Sequence, residues 1–305
     1  MQVYLPIAEL SVDIFLLLAM GAAVGFVSSL FGVGGGFLVT PLLIFIGIPP
    51  TVAVATQVNQ VVGASLSGAI AHWRRGNIDF KMGAVLMVGT LAGSTAGVWL
   101  FAVLRKVGQI DLVIILMYIV FLGGIAALMI SEIVRAIMRE RRNPGQRLKL
   151  HQHTWLHGLP FKMRFRKSRL YISALLPLVL GLVTGLLVAM MGVGGGFLLV
   201  PSKIYLLGMS TTLAVGTSLF QTIFVAMNTT FLQAVENQTV DILLAVVLLA
   251  GGLAGTQIGA RMGTRLKGDQ LRLLLALMIV GVWIKLVYDV VSTPENLYSL
   301  EVVAR

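Results

Sequence analysis

The sequence contains no cysteine, which excludes disulfides, thiolate metal sites and a thiol nucleophile. It is poor in charge: 11% of residues are charged, against about 25% in soluble globular domains. Only 12 of its 305 residues are Asp or Glu, and all lie in loops or at the ends of apolar segments. A carboxylate proton relay and a sodium site built on Asp or Glu are therefore disfavoured. Alternating stretches of the membrane-barrel type are absent, so strands are not expected. Met1–Asp13 has no Lys or Arg, so it lacks the basic start of a cleaved signal peptide, and the first apolar run is expected to be retained. What remains is apolar: 57% hydrophobic residues and a mean hydropathy of +0.94. That composition excludes an ordinary soluble enzyme, a disordered chain and a nucleic-acid-binding domain, despite a net charge of +11.

Ten apolar segments are predicted, at about 13–31, 36–48, 52–73, 82–104, 110–134, 171–191, 196–209, 212–235, 241–262 and 270–292. Two of them, 36–48 and 196–209, are too short to cross a bilayer unaided, and both follow the same glycine run. Leu30–Pro41 reads LFGVGGGFLVTP and Met190–Pro201 reads MMGVGGGFLLVP. Ala53–Thr56 then matches Ala214–Thr217, Gln60 matches Gln221, and Gly89–Gly97 matches Gly251–Gly259. Three matched blocks in one order indicate two homologous halves of five segments each. The expected fold is an all-α polytopic membrane protein with two inverted repeats and short interrupted helices at the glycine motifs. Its parts are a first repeat over 1–135, a basic linker over 136–170 and a second repeat over 171–305.

Charge sets the expected orientation. Eleven of the 23 Lys and Arg fall between Arg135 and Arg169, and basic residues collect on the cytoplasmic side. The linker is then cytoplasmic and both termini lie outside. Five segments per half is odd, so the halves must be inverted. Arg105 and Lys106 are the exceptions, on the outer side. Trp155, Leu156, Leu159, Phe161, Met163 and Phe165 stand among the basic residues of the linker, an amphipathic pattern suited to anionic lipid headgroups. His151, His153 and His157 belong to the same solvated stretch, and no metal site is expected there.

Inverted repeats with interrupted helices bind substrates near the membrane midplane, where half-helix starts point inward. Gly34, Gly35 and Gly36, with Gly194, Gly195 and Gly196, would offer backbone N–H groups and a positive helix end to an anion. The competing reading is close helix packing alone. The segment after each glycine run is unusually polar. Thr56, Gln57 and Gln60 in the first half, and Thr217, Ser218 and Gln221 in the second, bring hydroxyls and amides that donate to an oxyanion without adding charge. Lys203, in the second short segment, would either recruit anions or snorkel to the cytoplasmic surface; its counterpart is Leu43. His72 is placed near the cytoplasmic end of its segment, and Lys285 with Asp289 reads as an interfacial pair. No deep His, Asp or Glu cluster and no Ser–His pairing is present, so an enzyme is disfavoured and no catalytic residue or cofactor is expected.

The two GVGGGF blocks, Ala214–Ser218, Gly76-Asn77-Ile78-Asp79 and Gly251–Gly259 resemble the TauE/SafE family of sulfite exporters, over nearly the whole chain outside the linker. The resemblance implies transport of sulfite, an organosulfonate or a related small anion across the bacterial inner membrane, usually outward. Alternating access is the mechanism expected. An anion channel, or an importer of a related sulfur-containing or carboxylate anion, is the alternative. The linker and Lys203 depart from the plain family pattern.

Overall fold

The computed structural model describes residues 2–31, 36–142, 162–168, 170–262 and 268–292. It is mostly helical, and its helices follow the apolar segments. They are α1 (Ile14–Phe31), α2 (Gly36–Phe45), α3 (Pro50–Arg74), α4 (Phe80–Lys106), α5 (Ile110–Arg142), α6 (Leu175–Met191), α7 (Gly196–Tyr205), α8 (Thr211–Leu232), α9 (Ile242–Met262) and α10 (Gly268–Val291). A single π turn, Gln233–Asn237, continues α8. The largest difference from expectation is α5, which runs on to Arg142. Among the described residues, stretches of α4, α5, α8 and α9 are long and apolar enough to cross a membrane. The 25-residue α3 is long enough, at about 37 Å, but its Thr, Gln and Asn residues dilute its apolar character.

Two short hairpins correct the all-helical expectation. β1 (Gln2–Leu5) pairs antiparallel with β2 (Leu10–Asp13), and β3 (Lys162–Phe165) with β4 (Leu170–Ser173). Strands of four residues are too brief for alternation to stand out in so apolar a sequence. Each hairpin buries one face: Leu5 and Val12 in the first, Phe165 and Ile172 in the second. Phe165 therefore packs with Met82, Leu86 and Leu199, and Met163 lies against the same cluster, so these two linker residues face protein. The remaining aromatic and histidine positions of the linker, and residue 169, lie outside the described residues.

The helices of the two halves interleave. α1 packs along α9, and α4 along α6. Both crossings need glycine, because backbone meets backbone. A Cβ on Gly25 would stand 2.2 Å from the Gly252 carbonyl oxygen, and one on Gly93 would stand 2.0 Å from that of Leu182. Such small-residue contacts replace the hydrophobic drive that lipid removes.

An aspartate ties each hairpin to the start of a helix. Asp79 caps α4: its Oδ1 accepts from the Met82 N–H at 3.1 Å, and its Oδ2 accepts from the Ser168 N–H at 3.1 Å and Oγ at 2.6 Å. Asp241 caps α9: its Oδ1 accepts from the Leu244 N–H and its Oδ2 from the Ile7 N–H, both at 3.1 Å. The backbone N–H of Asp79 donates to Thr217 Oγ1 at 3.0 Å, and that of Asp241 to Thr56 Oγ1 at 2.9 Å. Three residues before each aspartate the chain turns through positive φ, at Gly76 (+70°) and Gln238 (+50°). Arg105 donates to the Asn237 carbonyl, so this exception to the charge pattern joins the ends of α4 and α8.

Candidate functional site

The glycine runs determine where the interior opens. The first is described from Gly36 onward; Gly34 and Gly35 lie outside the described residues. The second is described throughout. α6 ends at Met191, and Gly192 turns the chain at φ +67°, a left-handed cap that favours glycine. A Cβ there would also stand 2.6 Å from the Val54 carbonyl oxygen of α3. The buried Tyr118 hydroxyl of α5 donates to the Met191 carbonyl and pins the turn.

The two runs meet. A Cβ on Gly36 would stand 2.7 Å from the Gly194 backbone nitrogen and 2.6 Å from Gln57 Nε2. Gly36 opens α2 and Gly196 opens α7, each of 10 residues and so about 15 Å long. The first N–H groups of any helix lack intrahelical acceptors and carry the positive end of its dipole. Two such starts therefore share one junction.

A cavity of about 400 Å³ reaches this junction. Gly36, Gln57 and Gln60 line one part of it, Val24, Val61, Leu249 and Leu253 its apolar walls, and His72, the exposed Arg75 and Gln257 its mouth. From Gln57 to His72, along α3, it spans about 22 Å. Gln57 is fully buried. Its Oε1 accepts from Thr40 Oγ1 at 2.9 Å, while its Nε2 has no partner. Gln60 Oε1, one turn further along α3, is also buried without a partner. Buried polar atoms are nearly always bonded. Here an orphan donor and an orphan acceptor belong to side chains that line one cavity.

The second half arranges its matching residues differently. Lys203 is 0% exposed, so it neither snorkels nor lines the cavity. Its Nζ donates to Ser218 Oγ at 2.9 Å and to Gln221 Oε1 at 3.1 Å, and Gln221 Nε2 donates to Thr90 Oγ1 at 3.2 Å. Thr222, next along α8, brings its hydroxyl 3.2 Å from where a Cβ on Gly195 would stand.

The structure thus brings Gly36, Gly194, Gln57 and Gln60 together at the cavity, and gathers Lys203, Ser218 and Gln221 into a neighbouring closed cluster. Thr56 and Thr217 are buried elsewhere, their hydroxyls accepting the Asp241 and Asp79 amides. His72 stands at the cavity mouth, its Nδ1 unpartnered. The sequence reading missed Thr40, Thr90 and the two capping aspartates. The aspartates carried a usable signal, since both fall at the same place in the two repeats. Thr40 carried none, because its match, Val200, is apolar. Lys285 and Asp289 form the expected exposed pair at 3.0 Å.

Comparison with known proteins agrees with this architecture. The profile of a family described as Sulfite exporter TauE/SafE matches residues 17–286. "Probable membrane transporter protein YjnA" of Bacillus subtilis is 29% identical over 278 residues, covering 91% of this chain and 100% of the relative. YunE of the same organism is 24% identical, covering 90% of this chain and 97% of its own. A Xylella fastidiosa protein named as a membrane transporter is 27% identical, covering 88% and 92%. No solved structure matches the chain. With bilayer-length apolar helices, and with a family profile and relatives that run nearly end to end, this chain is a multi-pass membrane transporter belonging to the TauE/SafE family.

Proposed function

We propose that the chain moves a small oxyanion, sulfite or an organosulfonate, outward across the inner membrane by alternating access. The observation that carries this is Gln57 Nε2, a buried and unpartnered donor beside the Gly36–Gly194 contact and next to an open cavity. An oxyanion there would accept from the Gln57 amide and from backbone N–H groups at the starts of α2 and α7, with no fixed charge in contact. Gln60 would complete the lining. Thr56 and Thr217 would position the helices, and Ser218, Gln221 and Lys203 would serve the matching second-half site.

The two halves act as inverted repeats in this reading. The paired hairpins, capping aspartates and glycine crossings support a two-fold relation between them. Termini outside and linker inside, as the basic residues suggest, put the His72–Arg75 mouth on the cytoplasmic side, which makes this an inward-open state. Beyond the junction Phe37, Leu38, Val39 and Thr40 are each at most 1% exposed. That favours a carrier over a continuous pore. The basic linker would rest on anionic headgroups.

Sulfite efflux from loaded proteoliposomes tests the proposal. Gln57→Leu should cut efflux by at least about tenfold, the loss of one charge-assisted hydrogen bond. Its stability should fall by only about 1 kcal/mol, because the amide nitrogen bonds nothing in the protein and the loss is confined to the Thr40 hydroxyl, whose acceptor goes. Undiminished efflux would remove Gln57 and the junction from the mechanism.

A further inference from the structure

Lys203 is a buried amine with no carboxylate. Among the described residues it forms no ion pair, and the only partners of its Nζ there are the neutral oxygens of Ser218 and Gln221. Those two acceptors match the two N–H groups of an uncharged amine. An ammonium has a third N–H. A lone pair is then left to take a proton, and a protonated Lys203 would need a counter-charge that the protein does not supply.

Resting on the oxyanion reading above, we infer that Lys203 couples the carrier to protons: the amine takes up one proton when the anion binds and returns it when the anion leaves. The balance is simple. R–NH2, a proton given up by hydronium or a buffer acid (left as water or the conjugate base) and a monoanion A− become R–NH3+ with A−, and release reverses each term. A loaded monoanion is thereby neutralised, and the empty carrier reorients without a buried charge. Carrying such a charge alone through the bilayer interior is costly. Direct contact is not required, because charges attract over a distance in a dry interior. The connection to the junction is short in sequence, since Gln221 adjoins Thr222, whose hydroxyl flanks Gly195.

The surroundings leave Lys203 as the group available for this. α6 and α8, the helices packed on α7, contain no ionisable residue. The apolar cluster around Leu199 adds α4 and the second hairpin, whose ionisable groups are Asp79, Lys81, Lys162, Arg164, Arg166, Lys167 and Tyr171, with Arg105 and Lys106 at the far end of α4. Asp79 is engaged by Met82 and Ser168, and Lys81 Nζ donates to the Arg164 carbonyl at 3.1 Å. On α3, His72 lies against Gly216 of α8, at the cavity mouth.

Calorimetric titration of the purified protein with sulfite, and with isethionate, decides the matter when run in buffers of different ionisation heat. Isethionate is the cleaner probe, because its sulfonate binds no proton itself. Wild-type protein should take up about one proton per anion, by the reciprocity of linked binding. Lys203→Met should take up none and bind about tenfold more weakly. Lys203→Arg, always charged, should bind the anion with no proton uptake. Wild-type binding without proton uptake, or unchanged uptake in Lys203→Met, overturns the coupling while leaving the anion site standing. Failure of both anions to bind the wild type overturns the site, and the coupling with it.

Discussion

The two halves share a scaffold and differ in what fills it. Each has a hairpin, an aspartate cap tied to the hairpin of the other half, a short helix begun at a glycine and a glycine-lined crossing with a helix of the other half. Inside, they diverge. In the first half Gln60 turns its amide nitrogen toward Gly252, which offers no side chain, and its Oε1 is buried without a partner beside the cavity. In the second half Gln221 meets Thr90 on one side and Lys203 on the other, so both ends of its amide are bonded. The parts that match between the halves are those that set backbone geometry. The polar interior was free to specialise, because a hydrogen bond there is modest and replaceable while a backbone clash is not.

The shared crossings give the largest expected effect. Gly93→Leu would put its Cβ within 2.0 Å of the Leu182 carbonyl oxygen, a backbone atom that cannot turn aside. A loss of about 3 kcal/mol or more is expected, seen as loss of monodisperse protein in detergent. A well-folded Gly93→Leu would break the claim that both crossings are constrained alike.

The divergent interiors come next. Gln221→Leu leaves Lys203 with Ser218 alone, removes a donor to Thr90 and should cost about 2 kcal/mol in thermal unfolding. Gln60→Leu removes an oxygen that bonds nothing and should cost about 0.5 kcal/mol or less while reducing anion transport. Equal costs would erase the distinction between a bonded amide and an open one.

The aspartate caps sharpen the comparison further. Asp79 accepts three hydrogen bonds and Asp241 two from backbone donors. Asp79→Ala should therefore exceed Asp241→Ala by about 1 kcal/mol, measured by the same unfolding assay. The Ser168→Ala variant should recover most of that difference, because it removes the additional hydroxyl bond.

The ten helical segments were legible because a bilayer demands about 20 apolar residues per crossing and the glycine runs interrupt two of them. The glycine runs stood out through the repeat, and Gln57 through its helical spacing from Gln60 in an unusually polar segment. Thr56 and Thr217 recur just as faithfully, yet their hydroxyls hold the ends of α9 and α4. Recurrence marks a shared task without saying which task it is. The hairpins escaped notice because four residues carry too little pattern. Gly89–Gly97 and Gly251–Gly259 were recognised as matched, but their role as crossing surfaces required knowing which helices touch.

Composition, segment length and the matched sequence blocks determined by themselves that this chain lives in a membrane and carries recurring parts, since lipid leaves a backbone few ways to satisfy its polar groups. Tertiary structure alone decided which copy is open. Matching residues on one helix face bond or stay bare according to what the neighbouring helix presents: glycine beside Gln60, a hydroxyl and an amine beside Gln221.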